Sequence, residues 1–137
     1  MSSPGPWLDA RAILEAADLG VPIEWPNELP VDPGEAMWLR VDMVGDSFRP
    51  IEMGPTASWS EEGELFVDVL VPKGHGTADA RRMAERIAKL FRRLGPRKVV
   101  WGRGSIGLGA DDENGKASTW WCLPLSLGYR VQDVSTQ

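Results

Sequence analysis

The period of two in residues 65–71 places four aliphatic residues on one face and Phe66, Asp68 and Leu70 on the other, which predicts a β-strand that is at least partly covered on both faces. A turn rich in proline and glycine follows at residues 72–76, and an amphipathic helix is expected to begin near Ala78. We expect the Thr77 side chain to accept from the free amides of the first turn, with Asp79 complementing the positive helix end. The helix has an apolar stripe at intervals of three and four residues, namely Ala80, Ala84, Ile87, Ala88, Phe91 and Leu94.

The remaining pattern predicts a helix over about residues 7–19, a short extended edge segment at 21–25 and a strand at 36–44. Two further strands are expected from residue 98 and over residues 119–131, and the 36–44 strand is expected to pair antiparallel with the 65–71 strand. The predicted order is helix, three strands, helix, two strands. We therefore expect an α+β fold, one small domain over residues 1–137, with two helices packed on a mixed or antiparallel sheet of about four to five strands.

Residues 45–63 contain two prolines and three glycines among scattered polar residues, which predicts a long loop. A loop of this length within a compact domain usually has a function or becomes ordered against a partner. We expect it to contact a partner through five residues, Phe48, Arg49, Ile51, Met53 and Trp59.

The candidate catalytic and ligand-binding motifs are weak. Residues 102–107 have the glycine spacing of a dinucleotide-binding motif, but the turn expected after them replaces the required helix. Residues 111–114, three acids and an asparagine, lack the ligand alternation of a calcium loop, and a solvated hairpin loop explains them better. The carboxylate pairs at 61–62 and 111–112 are likewise expected to be solvated. His75, the sole histidine, has no partner at metal-ligand spacing.

Cys122 is the only cysteine, and it follows two tryptophans in an apolar strand, where an inert buried thiol is expected. Together with the weak motifs, this predicts a protein that is not an enzyme and binds no cofactor or metal. No apolar run approaches the roughly 20 residues needed to cross a bilayer, and the first residues lack a signal-peptide pattern. We therefore expect a cytoplasmic product with no membrane partner.

Charge is distributed unevenly along the chain. The formal net charge is −5, yet nine of the fifteen basic residues lie between positions 81 and 103, where Glu85 is the only acid. Three interpretations remain open: a solvated helix face, a nucleic-acid-binding surface, or a subunit interface that meets an acidic face of another copy. The residues assigned to such an interface are Arg81, Arg82, Arg86, Lys89, Arg93 and Trp120.

The chain contains seven tryptophans, a residue enriched at protein interfaces. Trp120 and Trp121 are adjacent in a predicted strand and must point to opposite faces of the sheet. One of them therefore leaves the main core unless a helix or a partner covers it, which favours an assembly subunit.

Several segments resemble a known family. These are Pro-Ile-Glu-Trp-Pro-Asn-Glu at residues 22–28, Trp-Leu-Arg-Val at 38–41 and Val-Asp-Val-Leu-Val-Pro-Lys-Gly at 67–74, with the helix at 78–91 and the closing strand near Trp121. Together they resemble the small tail-terminator-like proteins of tailed phages and gene transfer agents. The resemblance extends over about residues 21–131.

That resemblance implies a structural virion protein with an α+β fold and no catalytic residues. In such families a ring, typically hexameric, caps the tail tube, stops its polymerisation and docks to head-tail connector or completion proteins, while DNA passes through the central channel. It implies assembly in the bacterial cytoplasm and a final location in the tail of a virion or phage-like particle. The alternative is a nucleic-acid-binding accessory module that uses the basic helix at residues 78–94.

Overall fold

The structure is a computed structural model that describes residues 4–30, 32–50, 58–95, 97–112 and 119–134, with backbone alone at 46–50, 58, 133 and 134. Its elements are α1 (Pro4–Ala16), β1 (Ile23–Glu24), β2 (Trp38–Pro50), β3 (Ser58–Pro72), α2 (Ala78–Arg92), β4 (Val99–Ile106), β5 (Ala110–Asp111) and β6 (Trp120–Val134). The α+β class is confirmed. Only the two-residue β5 had no counterpart in the predicted order.

The six strands form one mixed sheet in the order β1-β2-β3-β6-β4, with β5 also paired to β6. β1 is a parallel edge strand on β2, and the other pairings are antiparallel. The predicted pairing of the 36–44 and 65–71 segments is confirmed, because Leu65 lies opposite Met43. On its other side Leu65 lies opposite Leu127, so β3 is hydrogen-bonded to both neighbours.

The main core lies between the two helices and one face of the sheet. β3 contributes its alternate residues Leu65, Val67, Val69 and Val71 to this core. The predicted stripe on α2 is confirmed at Ala80, Ala84, Ile87, Ala88 and Phe91, all of which are buried. α1 contributes Pro6, Ala10 and Leu14. Burial of this apolar surface is the main force that holds both helices on the sheet.

Two local predictions about the helices are corrected. α1 begins and ends three residues earlier than the predicted 7–19 helix. Thr77 occupies the N-cap position of α2 but makes no side-chain capping bond, because its backbone is already helical at φ −118° and ψ −3°. Its Oγ1 instead accepts a hydrogen bond of 3.1 Å from Arg81 Nε. Asp79 lies in the first turn as expected.

The prediction of a loop over residues 45–63 is wrong for most of these residues. β2 continues to Pro50 and β3 begins at Ser58, so these residues form two arms of a hairpin, and residues 51–57 lie outside the described part of the chain. A register shift between Gly45 and Ser47 lets the ladder continue through a polar, glycine-containing stretch. β6 also pairs with this part of β3 up to Val134, which supports the arm from its second side.

The glycine-rich segment after Trp101 is also a strand and not a loop. β4 extends through residues 102–106, and its pairing with β6 shifts register between Trp101 and Gly104. The extended backbone excludes the strand-to-helix turn that a dinucleotide-binding motif requires. The expected hairpin turn at Asn114 and Gly115 lies outside the described residues.

A second small core lies on the sheet face opposite the helices. Trp38, Leu70 and Trp120 form it, with Cys122 packed against them. The rings of Trp38 and Trp120 meet edge to face at 5.9 Å and 80°. Trp121 packs against the main core instead, so the prediction that the adjacent tryptophans point to opposite faces is confirmed.

Glu61 and Tyr129 form a buried polar pair where the β3 arm of the hairpin is paired with β6. The Tyr129 hydroxyl donates a 2.5 Å hydrogen bond to Glu61 Oε2, and Glu61 is only 2% exposed. The expectation that Glu61 is solvated is therefore wrong, because its segment is a strand whose alternate residues face inward. Gly63 lies directly beneath the Tyr129 ring: a Cβ there would be 2.7 Å from the ring and 2.3 Å from the Val44 carbonyl oxygen.

We predict that Gly63→Ala destabilises the fold by about 1–3 kcal/mol, the usual range for forcing extra atoms into a packed site. The added methyl must displace either the Tyr129 ring or the β2 backbone. Urea denaturation followed by tryptophan fluorescence measures the change in the free energy of unfolding. Gly102→Ala is the matched control, because a Cβ at that position has no heavy atom within 4 Å. Equal stability of the two variants would contradict the prediction.

Candidate functional site

The outer surface of α2 carries the basic residues that the sequence singled out. Burial of the apolar stripe fixes the rotation of the helix, so the polar positions between the stripe residues must face outward. The exposed cations on this surface, called here the basic face, are Arg81, Arg82, Arg86, Lys89, Arg92 and Arg93.

Part of the basic face is neutralised within α2. Arg82 forms an ion pair of 2.8 Å with Asp79, and Lys89 forms one of 2.8 Å with Glu85. The hydrogen bond from Lys89 is the main cause that lowers the pKa of Glu85. Arg86, by contrast, makes no ion pair within 4 Å to any residue that the structure describes, and the same holds for Arg93. These two guanidinium groups are therefore available to a partner.

A shallow groove of about 640 Å³ runs along the basic face. Leu90 contributes an apolar surface to it and is partly buried against the main core. The groove thus combines an apolar contact with cations at its rim, and it brings together four of the predicted interface residues. Its lining residues are Arg82, Glu85, Arg86, Lys89, Leu90 and Arg93.

Trp120 does not belong to this groove. It lies on the opposite face of the sheet and is 5% exposed, packed against Trp38. The neighbouring chain that was expected to cover it is not needed for its burial. Arg81 is exposed on α2 but lies outside the groove lining.

The predicted partner-contact residues fall at the far end of the hairpin. Phe48 and Arg49 are in β2, opposite Glu61 and Ser60, and the partly buried Trp59 is in β3, opposite Pro50. Ile51 and Met53 lie outside the described residues. The backbone therefore places three of the five residues on a paired strand and not on a free loop.

A charge network that the sequence analysis missed joins β2, β3 and the segment after β5. Arg40 donates to Asp68 Oδ2 at 3.1 Å and to Asp112 at 3.3 Å. Asp112 is 5% exposed, so its expected solvation is wrong: the backbone amide of Asp112 bonds to Trp120 O and draws the carboxylate inward. Burial acts to lower the pKa of Arg40, but the two carboxylates together outweigh it and raise that pKa. The one signal for this network is the strand register, which places Arg40 opposite Asp68 and cannot be read from the sequence alone.

The Trp-Pro-Asn-Glu segment, residues 25–28, has a structural role in the single chain. Trp25 packs edge to face on Trp7 at 5.7 Å, and the Arg11 guanidinium lies 4.6 Å above the Trp25 ring. Arg11 also donates to both carboxylate oxygens of Glu28, and this hydrogen bonding lowers the pKa of Glu28. Asn27 turns the chain with φ +57°, a conformation that asparagine tolerates. Through these contacts the segment packs the turn after β1 against α1.

Among the described residues no group of three or more His, Cys, Asp and Glu side chains is placed to hold a metal ion. His75 is exposed on the turn before α2. No helix in the described part of the chain is both long and apolar enough to span a membrane.

Residues 8–129 match the family described as phage tail terminator protein. The chain belongs to the phage tail terminator family. Membership assigns a structural role in a phage tail, a location in the virion tail and interaction with tail and head components. The resemblance inferred from the sequence is therefore confirmed.

One solved structure has a similar fold, with a TM-score of 0.57 and 22% sequence identity. The alignment covers 95% of this chain and 96% of that chain, so the similarity of fold extends over nearly the full length of both. No curated protein matches this chain.

We predict that Cys122 reacts slowly with iodoacetamide at pH 8.5. Burial, together with the charge of Asp68, raises the pKa of its thiol to about 12, against about 8.5 in an unfolded chain. The thiolate fraction falls on the order of a thousandfold, and the greater nucleophilicity of a more basic thiolate recovers part of this loss. Alkylation measured by mass spectrometry is expected to be about tenfold to a hundredfold slower than in urea. Equal rates with and without urea would disprove the burial of this thiol.

Proposed function

We propose that this chain forms a closed ring of identical subunits that caps the tail tube of a phage or gene transfer agent and joins it to the head-tail connector. The observation that carries this proposal is the match to the tail terminator family over residues 8–129. Six subunits are the number that the family resemblance implies. Assembly takes place in the bacterial cytoplasm, before the tail joins the head.

The surface of the chain is compatible with contact between unlike faces of neighbouring copies. Within the described part of the chain the basic face contains four arginines without ion pairs, Arg86 and Arg93 among them, whereas the chain as a whole has a formal charge of −5. A contact between two different surfaces of the same chain closes into a ring when the rotation between subunits permits. Charge complementarity between the surfaces sets the orientation of the subunits and disfavours wrong pairings.

The hairpin of β2 and β3 supplies the contact with the tube or connector. Its far end carries Phe48, Arg49 and Trp59, and the other two residues assigned to this contact, Ile51 and Met53, lie between its two strands in the sequence. Acidic residues elsewhere on the ring line the channel, where like charge keeps DNA in transit from adhering.

Deletion of the gene tests the role in the tail. A tail that lacks its terminator has nothing to stop tube polymerisation, so we expect tails of irregular length that do not join heads. Negative-stain electron microscopy of particles with and without the subunit measures the length distribution. Complementation with the wild-type gene is the control. Tails of normal length on filled heads after deletion would overturn the proposed function.

Reversal of the charges at Arg86 and Arg93 tests the ring contact. In the double variant Arg86→Glu, Arg93→Glu the basic face repels an acidic neighbour, so we expect the mass measured by light scattering to fall to that of a monomer. The matched control, Arg103→Glu with Arg130→Glu, makes the same change in net charge at exposed positions away from α2. If the Arg86, Arg93 double variant keeps the mass of the wild-type assembly, the basic face is not part of the ring contact.

A nucleic-acid-binding module remains the second candidate, and the exposed cations of α2 are the observation that favours it. Such a module retains DNA with an affinity that falls steeply as salt rises. The internal pairs Arg82–Asp79 and Lys89–Glu85 reduce the charge available for phosphate contacts. Gel shifts at two salt concentrations, with the wild type and the Arg86, Arg93 variant, distinguish this candidate from a ring.

A further inference from the structure

The sheet face opposite the helices is covered at one end and open at the other. The second core and the Arg40 network cover the end near Trp38. Beyond them the alternate residues of β2 and β3 face outward. Asp42 lies opposite Phe66, and Val44 lies opposite Glu64, with Glu62 further along β3 on the same face.

This open area combines apolar and acidic side chains. Val44 is 45% exposed and Phe66 is 36% exposed. Around them stand the carboxylates of Asp42, Glu62 and Glu64, and we call these five residues the acidic patch. Arg130 and Arg103 belong to the β6 and β4 side of the sheet, so the negative charge is confined to the β2–β3 half.

The carboxylates at Glu62 and Glu64 are free, whereas several others on the chain already have cationic partners. Asp9, Glu28, Asp68, Asp79, Glu85, Asp111 and Asp112 form ion pairs within the subunit. Within the described ranges Glu62 and Glu64 form none, although Arg130 lies opposite Glu62 in the strand register. Asp42 accepts a hydrogen bond of 2.8 Å from the Met43 amide but likewise forms no ion pair there.

We propose that the acidic patch is the docking surface for the basic face of α2 from a second copy of this chain. The proposal rests on the proposed ring and names the two surfaces that meet in it. Arg86 and Arg93 of one subunit pair with Glu64 and Glu62 of the next, and Leu90 packs against Phe66 and Val44.

The spacing of the two sets of charges agrees with this arrangement. Arg86 and Arg93 are two helical turns apart, about 10 Å along the axis at 1.5 Å per residue. On the sheet, Glu62 and Glu64 are about 7 Å apart along one strand, and Asp42 extends the row by one strand spacing and two residues. Long arginine side chains span the remaining difference. Both surfaces also place apolar side chains directly beside charged ones, so the same contact can bury apolar area and pair charges.

The contact joins two different surfaces, so it propagates from subunit to subunit. Each copy offers its basic face to one neighbour and its acidic patch to the other. This geometry makes a charge-exchange experiment possible, because each surface can be reversed independently on the same chain.

Variant one is Arg86→Glu with Arg93→Glu, and variant two is Glu62→Lys with Glu64→Lys. Each variant alone presents like charges at every contact, so we expect the protein concentration for half-assembly to rise at least about tenfold for each. An equimolar mixture presents opposite charges at every contact when the two variants alternate. We expect it to assemble within about threefold of the wild-type concentration, as measured by analytical ultracentrifugation.

Two controls separate this contact from general charge effects. Asp32→Lys with Glu35→Lys changes two exposed carboxylates before β2 by the same net charge, and it is expected to assemble as the wild type does and not to rescue variant one. Circular dichroism establishes that each variant is folded. If variant two is not folded, Glu62→Gln with Glu64→Gln replaces it. This variant is expected to raise the half-assembly concentration about tenfold, and its assembly is expected to depend no longer on the salt concentration.

The outcomes separate this inference from the proposed function. A mixture that assembles while each variant alone does not supports the docking of α2 on the acidic patch. If the wild type forms a ring but mixing the two variants does not restore assembly, the proposed docking surface is wrong and the proposed ring still stands. If the wild type remains monomeric at all protein concentrations, both alone and when mixed with tail tubes, the proposed ring is wrong.

Discussion

The double pairing of β3 determines where the other side chains of this subunit lie. β3 is hydrogen-bonded to β2 on one side and to β6 on the other, so each of its residues has a fixed neighbour in two directions. Since side chains alternate between faces, this register gives every residue of the three strands a defined side of the sheet. One side becomes the main core beneath α1 and α2, and the other divides into the second core and the acidic patch. A slip by one residue in β3 would exchange these surfaces.

The sequence predicted the elements whose patterns are local. The stripe on α2 and the alternation in residues 65–71 were sufficient because burial acts on one helix face or one strand face at a time. The arms of the hairpin were mistaken for a loop because glycine and proline at 45, 50 and 63 indicate turns, whereas pairing with β6 and a register shift at Gly45 keep the strands extended. Tertiary pairing outweighed local preference there. The burial of Asp112 was missed for the same reason, since its partner Arg40 is 72 residues away.

The candidate site was partly accessible from the sequence. The clustering of basic residues on α2 was visible, and the structure adds that Arg82 and Lys89 are paired internally while Arg86 and Arg93 are not. Trp120 was assigned to an interface because adjacent tryptophans in a strand face opposite sides of the sheet, but Trp38 already packs against it there. The acidic patch had no sequence signal, because Asp42 and Glu64 become neighbours only through the strand register. Charged surfaces of this kind give orientation and partner choice more than affinity.

The outer edge beyond β6 has a further consequence. Its ladder shifts register between Trp101 and Gly104, and residues 107–109 separate β4 from β5, with the Trp121 ring lying across Gly109 so closely that no Cβ fits. An incoming strand therefore meets a broken line of donors and acceptors at this edge. This edge is therefore a poor template for pairing with a strand of another chain, which lowers the tendency of the fold to aggregate through its sheet.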